Sequence, residues 1–275
     1  MRQSLSGTSS GSPAGPAPLY WQRMRRHDFT EALQHEPVVV LPVGSIEQHG
    51  PHCPVNVDLS NASAIVELAA AKATDFPFIV APAVPYGFTH YNQGFPGTIT
   101  LQFETFVELI SDICLAIHRN GFQRIITVNG HGGNHSLLKA VAARVSEHDL
   151  FMLALSHWDL MAEELRDWGD VDDRIGHAGE WETSLQLHLQ PELVDMSRAV
   201  DETWVPSVSE RFRSMVTFPE RQRETPEGVM GAATAATAEK GKRYVEAAAA
   251  KLLELARDYR QQPVRRYRHW EADQA

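Results

Sequence analysis

Cysteine, positive charge and long apolar runs are all scarce in this chain. Its 275 residues include only two cysteines, Cys53 and Cys114, which cannot build a disulfide framework or a cysteine-based zinc site. So little cysteine favours a reducing, cytoplasmic compartment. The formal net charge of -10 argues against nucleic acid and anionic membranes as partners. The apolar runs are too short to span a bilayer, so no membrane partner is expected.

The amino-terminal region differs in composition from the rest of the chain. Its first 18 residues are rich in Ser, Gly, Pro and Ala and lack the apolar stretch of a secretory signal. We therefore expect a flexible tail over residues 1–18, followed by a single α/β domain over residues 19–275. Residues 201–235 have weak periodicity, and we expect them to cross the surface as an oligomer contact or a pocket wall.

Apolar, β-branched runs alternate with segments of helical periodicity along the chain. The predicted strands are Val38–Val43, Phe78–Val84, Arg124–Val128 and Phe151–Leu155. The predicted helices are Asn61–Ala73, Phe103–Arg119, Ser136–His148, Trp181–Leu189 and Glu239–Arg260. This alternation predicts a three-layer α/β/α fold with a mainly parallel sheet. In such sheets, active sites lie beyond the carboxyl ends of the strands.

A dense group of carboxylates and imidazoles follows the first predicted strand. Glu47, His49, His52 and Asp58 lie within a dozen positions, beside Gly and Pro residues that shape a loop. Ionised carboxylates are costly to bury unless they are paired or bind a cation, so the group favours a metal site. The alternative is a solvated loop that is rich in histidine. Cys53 lies in the same loop and is interpreted as a packing residue rather than a ligand.

Two later motifs contain the same residue types. His131 follows the third predicted strand within Asn129-Gly130-His131-Gly132-Gly133, where the glycines allow a tight turn close to a ligand. The strand-end rule places it at the same sheet edge as the Glu47 loop. The segment from His177 to Ser184 adds one imidazole and two carboxylates near a helix start. The helix dipole favours a carboxylate there, an interpretation that suits Glu180 better than Glu182.

Together these motifs resemble the creatininase family of metal-dependent amidohydrolases. The resemblance covers roughly residues 35–200, and its blocks appear in the order found in the family. The blocks are Pro42–His52, Asn56–Asp58, Phe95–Thr98, Asn129–His131, His177–Gly179 and Glu182–Ser184. The resemblance implies a creatininase-like α/β fold, a small-molecule substrate and a homo-oligomer, since a hexamer occurs in the family.

The resemblance also implies a two-metal centre. By motif match, Glu47 and His131 bind one ion, His49 binds the other, and Asp58 bridges them. Creatininase has a glutamate where this chain has Gly133, so we expect Glu182 to complete the site, with Glu180 as the alternative. Such ligands suit zinc, manganese or iron, and two such ions can turn a bridging water into a hydroxide nucleophile.

His177 matches the acid/base histidine of the family and is expected to protonate the leaving nitrogen. The alternative is that it only orients a ligand. Further positions depart from creatininase or border its motifs. The pocket candidates are Trp158, His90, Tyr91, Asn92 and Asp173. With Gly133, the departures at Asn92 and Asp173 argue against creatinine itself as the substrate.

Three functions are consistent with these motifs. The first is hydrolysis of an amide-like C–N bond in a small, polar, cyclic substrate by a metal-bridging hydroxide, with His177 and Glu182 as catalytic residues. The second is C–C or lactone hydrolysis of a cyclic keto-sugar or keto-inositol at the same dinuclear site. The third is a non-catalytic family member that binds a metabolite or a protein.

Overall fold

A five-stranded, fully parallel sheet forms the centre of the computed structural model, which describes residues 19–168, 171–172, 175–203 and 225–264. The strands lie in the order β1-β3-β2-β4-β5. They are β1 (Leu19–Tyr20), β2 (Val38–Val43), β3 (Phe78–Val80), β4 (Ile125–Asn129) and β5 (Leu153–Ser156). The predicted parallel sheet is therefore confirmed.

Helices cover both faces of this sheet. They are α1 (Arg26–Ala32), α2 (Val57–Lys72), α3 (Phe103–Arg119), α4 (His135–Ser146), α5 (Ala162–Asp167), α6 (Glu180–Leu189) and α7 (Ala238–Gln261). Val38 and Val40 of β2 face α2, α6 and α7, whereas Val39 and Leu41 face α3 and α4. Successive strand residues point to opposite faces, so a strand buried on both faces is apolar throughout. The predicted three layers are confirmed.

The start of α2 differs from the sequence prediction in a way that matters for the site. The helix begins at Val57 rather than at Asn61, with Asn56 at its N-cap. Asp58 therefore lies in the first helical turn and not in the preceding loop. A carboxylate is favoured there by the helix dipole. Its backbone is thus part of a rigid element.

Smaller differences affect other elements. The strand predicted over Phe78–Val84 ends at Val80, shortly before Pro82, which has no N–H for a sheet ladder. The two-residue strand β1 and the short helices α1 and α5, which have little periodicity, were not predicted. The remaining predicted helices and strands have bounds within two residues of those observed.

The pairing of β2 with β4 aligns the loops that carry the predicted ligands. Val43 is the register partner of Asn129, and Gly130 N–H donates to Val43 O at 2.9 Å. A Cβ at Gly130 would lie 2.0 Å from Asp58 O, so only glycine fits between β4 and the start of α2. The expected common edge of the Glu47 and His131 loops is therefore observed.

A short antiparallel pair, β6 (Asp201–Glu202) with β7 (Gly231–Ala232), flanks the segment predicted to cross the surface. Residues 204–224 of that segment, the tail 1–18 and Asp173 lie outside the described residues. Across the described part of the chain, no helix combines the length and apolar character needed to cross a membrane.

Candidate metal centre

Six ionisable side chains from several loops and helices converge beyond the carboxyl ends of β2 and β4. All are buried, with exposed fractions of 0 to 4%. They form three overlapping groups in which the ligand atoms lie within 4.8 Å of one another. The six residues are Glu47, His49, Asp58, His131, His177 and Glu182. The five side chains predicted as ligands are thus all brought together.

The first group joins Glu47, Asp58 and His131. Nδ1 of His131 lies 3.1 Å from Glu47 Oε1 and 3.1 Å from Asp58 Oδ2. One imidazole nitrogen therefore faces two carboxylates supplied by the β2 loop and by α2. Carboxylate and imidazole donors at this spacing can hold a divalent metal ion.

The second group joins His49, Asp58 and Glu182. Nε2 of His49 lies 3.2 Å from Asp58 Oδ1 and 3.5 Å from Glu182 Oε2. Asp58 thus offers one oxygen to each group, which is the arrangement needed for a bridging carboxylate. Nε2 of His49 and Oδ2 of Asp58 are buried without a hydrogen-bond partner among the described residues.

Hydrogen bonds to backbone carbonyls determine which nitrogen of each ring faces the carboxylates. His49 Nδ1 donates to Glu47 O at 3.1 Å, and His131 Nε2 donates to Phe88 O at 3.0 Å. A carbonyl only accepts, so in a neutral ring the inner nitrogen has a lone pair. That lone pair repels a carboxylate oxygen 3.1 to 3.5 Å away. A proton or a metal cation must therefore lie between each inner nitrogen and its carboxylates.

The pKa values of these side chains depend on the balance between burial and the neighbouring charges. Burial lowers the pKa of His49, but Asp58 and Glu182 outweigh burial and raise it to about 9. For His131, burial also lowers the pKa, but Glu47 and other neighbours hold it well above its ordinary value. Burial raises the pKa of Glu182 to about 7, although His49 opposes this shift. Without metal, protons therefore take the place of cations near neutral pH.

Glu47 is held by two residues that no sequence motif identifies as its partners. Its Oε2 accepts hydrogen bonds from Thr89 Oγ1 and, at 2.8 Å, from Asn92 Nδ2. Burial raises the pKa of Glu47, but His131 and the other rings hold it well below its usual range. Asn92 was predicted only as a pocket candidate, and its contact is with a candidate ligand. Thr89 belongs to no motif, so only the tertiary contact identifies it.

The other pocket candidates lie at different distances from the cluster. Tyr91 OH lies 3.2 Å from His131 Nε2 and therefore borders the site. His90 is exposed and stacks on Phe88. Trp158 is half-buried and stacks on His135. Among these three, only Tyr91 contacts a candidate ligand in the described structure.

Gly133 is required where creatininase has a glutamate. A Cβ there would lie 2.2 Å from Phe88 O, 2.5 Å from His131 Nε2 and 2.7 Å from Tyr91 OH. The backbone and side chains that orient His131 already fill this space. A carboxylate ligand must therefore come from elsewhere, and Glu182 is in position to supply it.

Glu180 and Glu182 face different surroundings. Glu180 pairs with Lys240 Nζ and accepts the Asp172 N–H at 2.7 Å, away from the histidines. Glu182 Oε2 lies beside His49 and also accepts the Ala178 N–H at 2.6 Å. The geometry therefore favours Glu182 over Glu180.

The remaining members of the first motif have packing contacts. His52 Nε2 lies 2.8 Å from Thr183 Oγ1, and burial lowers the pKa of His52 to about 4. Cys53 Sγ lies 3.9 Å from the same hydroxyl, and burial raises its pKa to about 12. A neutral ring and a protonated thiol link the motif to α6, and neither belongs to the three candidate groups.

His177 forms the third group with Glu47 and His49. Its Nδ1 is 3.4 Å from Glu47 Oε1, and its ring centroid is 4.4 Å from that of His49. Its Nε2 lies 2.9 Å from both the backbone oxygen and the side-chain nitrogen of Gln48. This position is compatible with proton transfer and with ligand orientation, so both alternatives remain.

Comparison with known proteins places these features in a family. The model of the creatininase family, described as creatinine amidohydrolase, matches residues 22–256. The chain belongs to the creatininase family. It is therefore a creatininase-family hydrolase, and members of this family are metal-dependent.

Curated relatives in the creatininase family have three different activities in their names. A 3-dehydro-scyllo-inosose hydrolase from Thermotoga maritima is 28% identical over 88% of this chain and 84% of its own length. A creatinine amidohydrolase from Pseudomonas putida is 31% identical over 76% of this chain and 84% of its own length. A mycofactocin precursor peptide peptidase from Mycolicibacterium smegmatis is 35% identical over 75% of this chain and 79% of its own length.

Solved creatininase structures share the fold. A manganese creatininase superposes with a TM-score of 0.75 at 26% identity, covering 89% of this chain and 99% of the other. A mutant creatininase complexed with creatine gives a TM-score of 0.74 at the same identity and coverage. The predicted creatininase-like fold is confirmed, whereas three differently named activities leave the substrate of this chain undetermined.

Proposed function

We propose that this chain is a dinuclear metal hydrolase that cleaves an amide-like C–N bond in a small, polar, cyclic substrate. Glu47 and His131 would hold one ion, and His49 and Glu182 would hold the other. Asp58 would bind both ions. Cytoplasmic location and homo-oligomeric assembly remain predictions.

The observation that carries the proposal is the pair of imidazole nitrogens turned toward shared carboxylates. Glu47, Asp58 and Glu182 would place three negative charges in a buried volume, at a cost of several kcal/mol per unpaired ion. Cations between these groups and the inner nitrogens of His49 and His131 offset this cost. Two donor groups with one shared carboxylate fit two divalent ions.

The cluster contributes positioning as well as charge. When bound, two divalent ions would polarise a carbonyl and lower the pKa of a water molecule at the site. Thr89 and Asn92 keep Glu47 aimed at His131, and backbone carbonyls keep both candidate ligand rings in one tautomer. His177 is close enough to hold a proton next to Glu47 for transfer to a leaving nitrogen.

Amide chemistry is supported by the names of two groups of relatives, an amidohydrolase and several peptidases. Creatinine itself is a poor candidate substrate because the glutamate of creatininase is replaced by Gly133, where no side chain fits. A different cyclic amide is the substrate class that we favour.

Hydrolysis of a cyclic keto-inositol is the second candidate. The Thermotoga maritima relative has this kind of substrate in its name, and its match covers 88% of the chain, more than that of the amidohydrolase. The same cluster would serve, since a ketone carbonyl can be attacked in the same way as an amide. In that reaction His177 would protonate the leaving carbon of the broken C–C bond rather than a leaving nitrogen.

Product analysis on a defined panel separates these functions. Zinc- and manganese-loaded protein would be incubated with creatinine, hydantoin-type cyclic amides, short peptides and 3-dehydro-scyllo-inosose, and the products identified by mass spectrometry. Release of an amine supports the first function, and ring opening of the inosose supports the second. Stoichiometric metal with no turnover would favour a non-catalytic binding protein.

Metal affinity should rise with pH. The pKa of His49 is about 9 and that of His131 lies well above its ordinary value, so each ring must lose a proton before it can bind a metal ion. Below these pKa values, affinity should rise about tenfold per pH unit for each proton displaced. Below pH 7, metal affinity should depend more steeply on pH at the His49–Glu182 site, because the pKa of Glu182 is about 7 and this carboxyl must also lose a proton. Zinc competition at pH 6, 7 and 8 measures the slopes, and pH-independent affinities would contradict this account.

A further inference from the structure

We infer that Gln48 is the positioning residue for His177, an inference that rests on the proposed function. Gln48 lies between two candidate ligands in the chain, yet its side chain points away from the carboxylates. Its amide nitrogen lies 2.9 Å from His177 Nε2, across 129 positions of sequence. Only 6% of Gln48 is exposed, so solvent does not compete effectively for these contacts.

The orientation of the Gln48 amide is determined by two backbone groups. Its Oε1 accepts the Gly50 N–H at 2.8 Å, and its Nε2 donates to Gly228 O at 2.9 Å. Exchanging oxygen and nitrogen would place two donors together at Gly50 and two acceptors together at Gly228. The second amide hydrogen is therefore directed at His177.

Gln48 also presents its backbone to the same ring nitrogen. The carbonyl oxygen of Gln48 lies 2.9 Å from His177 Nε2, the same distance as its amide nitrogen. One residue thus offers Nε2 both an acceptor and a donor, so Nε2 keeps a hydrogen bond whichever ring nitrogen carries the proton. A residue in this position holds the imidazole in one orientation while Nδ1 faces Glu47.

The surrounding motif supports the Gln48 backbone. Its N–H donates to Thr98 Oγ1 at 3.1 Å, which gives a structural reason for the Phe95–Thr98 block. The backbone of His177 is held by Met230. The backbone N–H of His177 donates to Met230 O at 3.1 Å, and its carbonyl oxygen accepts from the Met230 N–H at 2.7 Å. The ring is therefore held between the β2 loop and the segment around Gly228.

Gly228 provides a way to disturb Gln48 without replacing it. Its φ is +75°, and a Cβ there would lie 2.4 to 2.6 Å from the Gln48 amide. The amide is the end of a flexible side chain, so Gly228→Ala should displace the amide from His177. In Gln48→Ala, by contrast, the same methyl group loses its three nearest contacts, all of which are atoms of the Gln48 amide, and the strain of an alanine at φ +75° is common to Gly228→Ala and the double variant.

The experiment compares zinc-loaded full-length wild type with Gln48→Ala, Gly228→Ala and the double variant. Crystal structures should show the His177 ring displaced from its 3.4 Å approach to Glu47 in both single variants. Zinc content should match that of Gln34→Ala, a control at an exposed glutamine. On a hydantoin-type cyclic amide or 3-dehydro-scyllo-inosose, whichever the wild type cleaves, kcat should fall about 10- to 100-fold with little change in KM, part of the ~10²–10⁴-fold contribution of acid–base catalysis. The double variant should lose no more than Gln48→Ala alone.

An unchanged His177 ring in folded Gln48→Ala and Gly228→Ala proteins would overturn the inference, as would fully additive losses in the double variant. Wild-type protein that binds no zinc would instead overturn the proposed function. The ring position is read directly from the crystals, so the assignment of Gln48 is tested in either case.

Discussion

Asp58→Asn should leave the protein folded but without stoichiometric metal and without measurable turnover. Asp58 places one oxygen 3.1 Å from His131 Nδ1 and the other 3.2 Å from His49 Nε2, so it belongs to both the first group and the second. The amide keeps the size of the side chain but removes the negative charge and one of its two acceptor oxygens. We expect zinc content to fall below one ion per chain and activity to fall on the order of 10³-fold or more, as when a cooperating catalytic unit is broken.

The matched control for Asp58→Asn is Asp112→Asn, the same change at an exposed position of α3. It should retain wild-type zinc content and turnover. Elemental analysis after dialysis measures the metal, and thermal unfolding in a chelator verifies that both variants fold. An Asp58→Asn protein that keeps two ions and full turnover would disprove the bridging role.

Glu182→Gln should remove one ion and leave the other. Glu182 contacts His49 but not His131, so the Glu47–Asp58–His131 group remains complete in this variant. Zinc content should fall from two ions to one per chain. Turnover should fall by about 10²–10³-fold, comparable to the loss of one preorganised electrostatic contact in an active site.

Glu180→Gln is the paired variant, because it makes the same change two residues earlier in α6. Glu180 pairs with Lys240, so its replacement should lower the thermal midpoint but leave two ions bound. Elemental analysis of both variants therefore tests the choice between the two glutamates. Loss of one ion from Glu180→Gln, with none lost from Glu182→Gln, would reverse the assignment.

The sequence predicted the sheet edge of the site because the positions of strands and motifs along the chain are local information. Val38–Val43 is apolar throughout, and the β-branched run before Asn129 marks a second buried strand. In parallel sheets the carboxyl ends of neighbouring strands meet, so Glu47 and His131 were expected to lie close together. The distance of 3.1 Å between His131 Nδ1 and Glu47 Oε1 agrees with that expectation.

Other features depend on tertiary packing and could not be predicted in the same way. Side chains two residues apart in a helix point about 200° apart, so α6 can turn either Glu180 or Glu182 toward the site. Packing of Trp181 and Leu185 in the core fixes that rotation. The contacts of Thr89 with Glu47 and of Gln48 with His177 span 42 and 129 positions, and no local pattern signals them.

The predicted start of α2, at Asn61, was wrong for a different reason. Ser60 and Asn61 are residue types typical of an N-cap, yet the helix continues through them from Val57. Asn61 is buried inside the helix, where its Oδ1 accepts a hydrogen bond from Gln186 Nε2 at 2.7 Å. Capping statistics favour the later start, whereas the tertiary contact with α6 satisfies the side-chain oxygen of an Asn residue, a type that otherwise opposes helix formation.

The number and position of metal ions in the wild-type protein decide whether the site is dinuclear. Zinc-loaded protein, dialysed to remove loosely bound ions, would be studied by elemental analysis and by anomalous diffraction. We expect two ions per chain, one beside His131 and one beside His49, with Asp58 between them. Fewer than two ions, or anomalous density away from these histidines, would contradict this expectation.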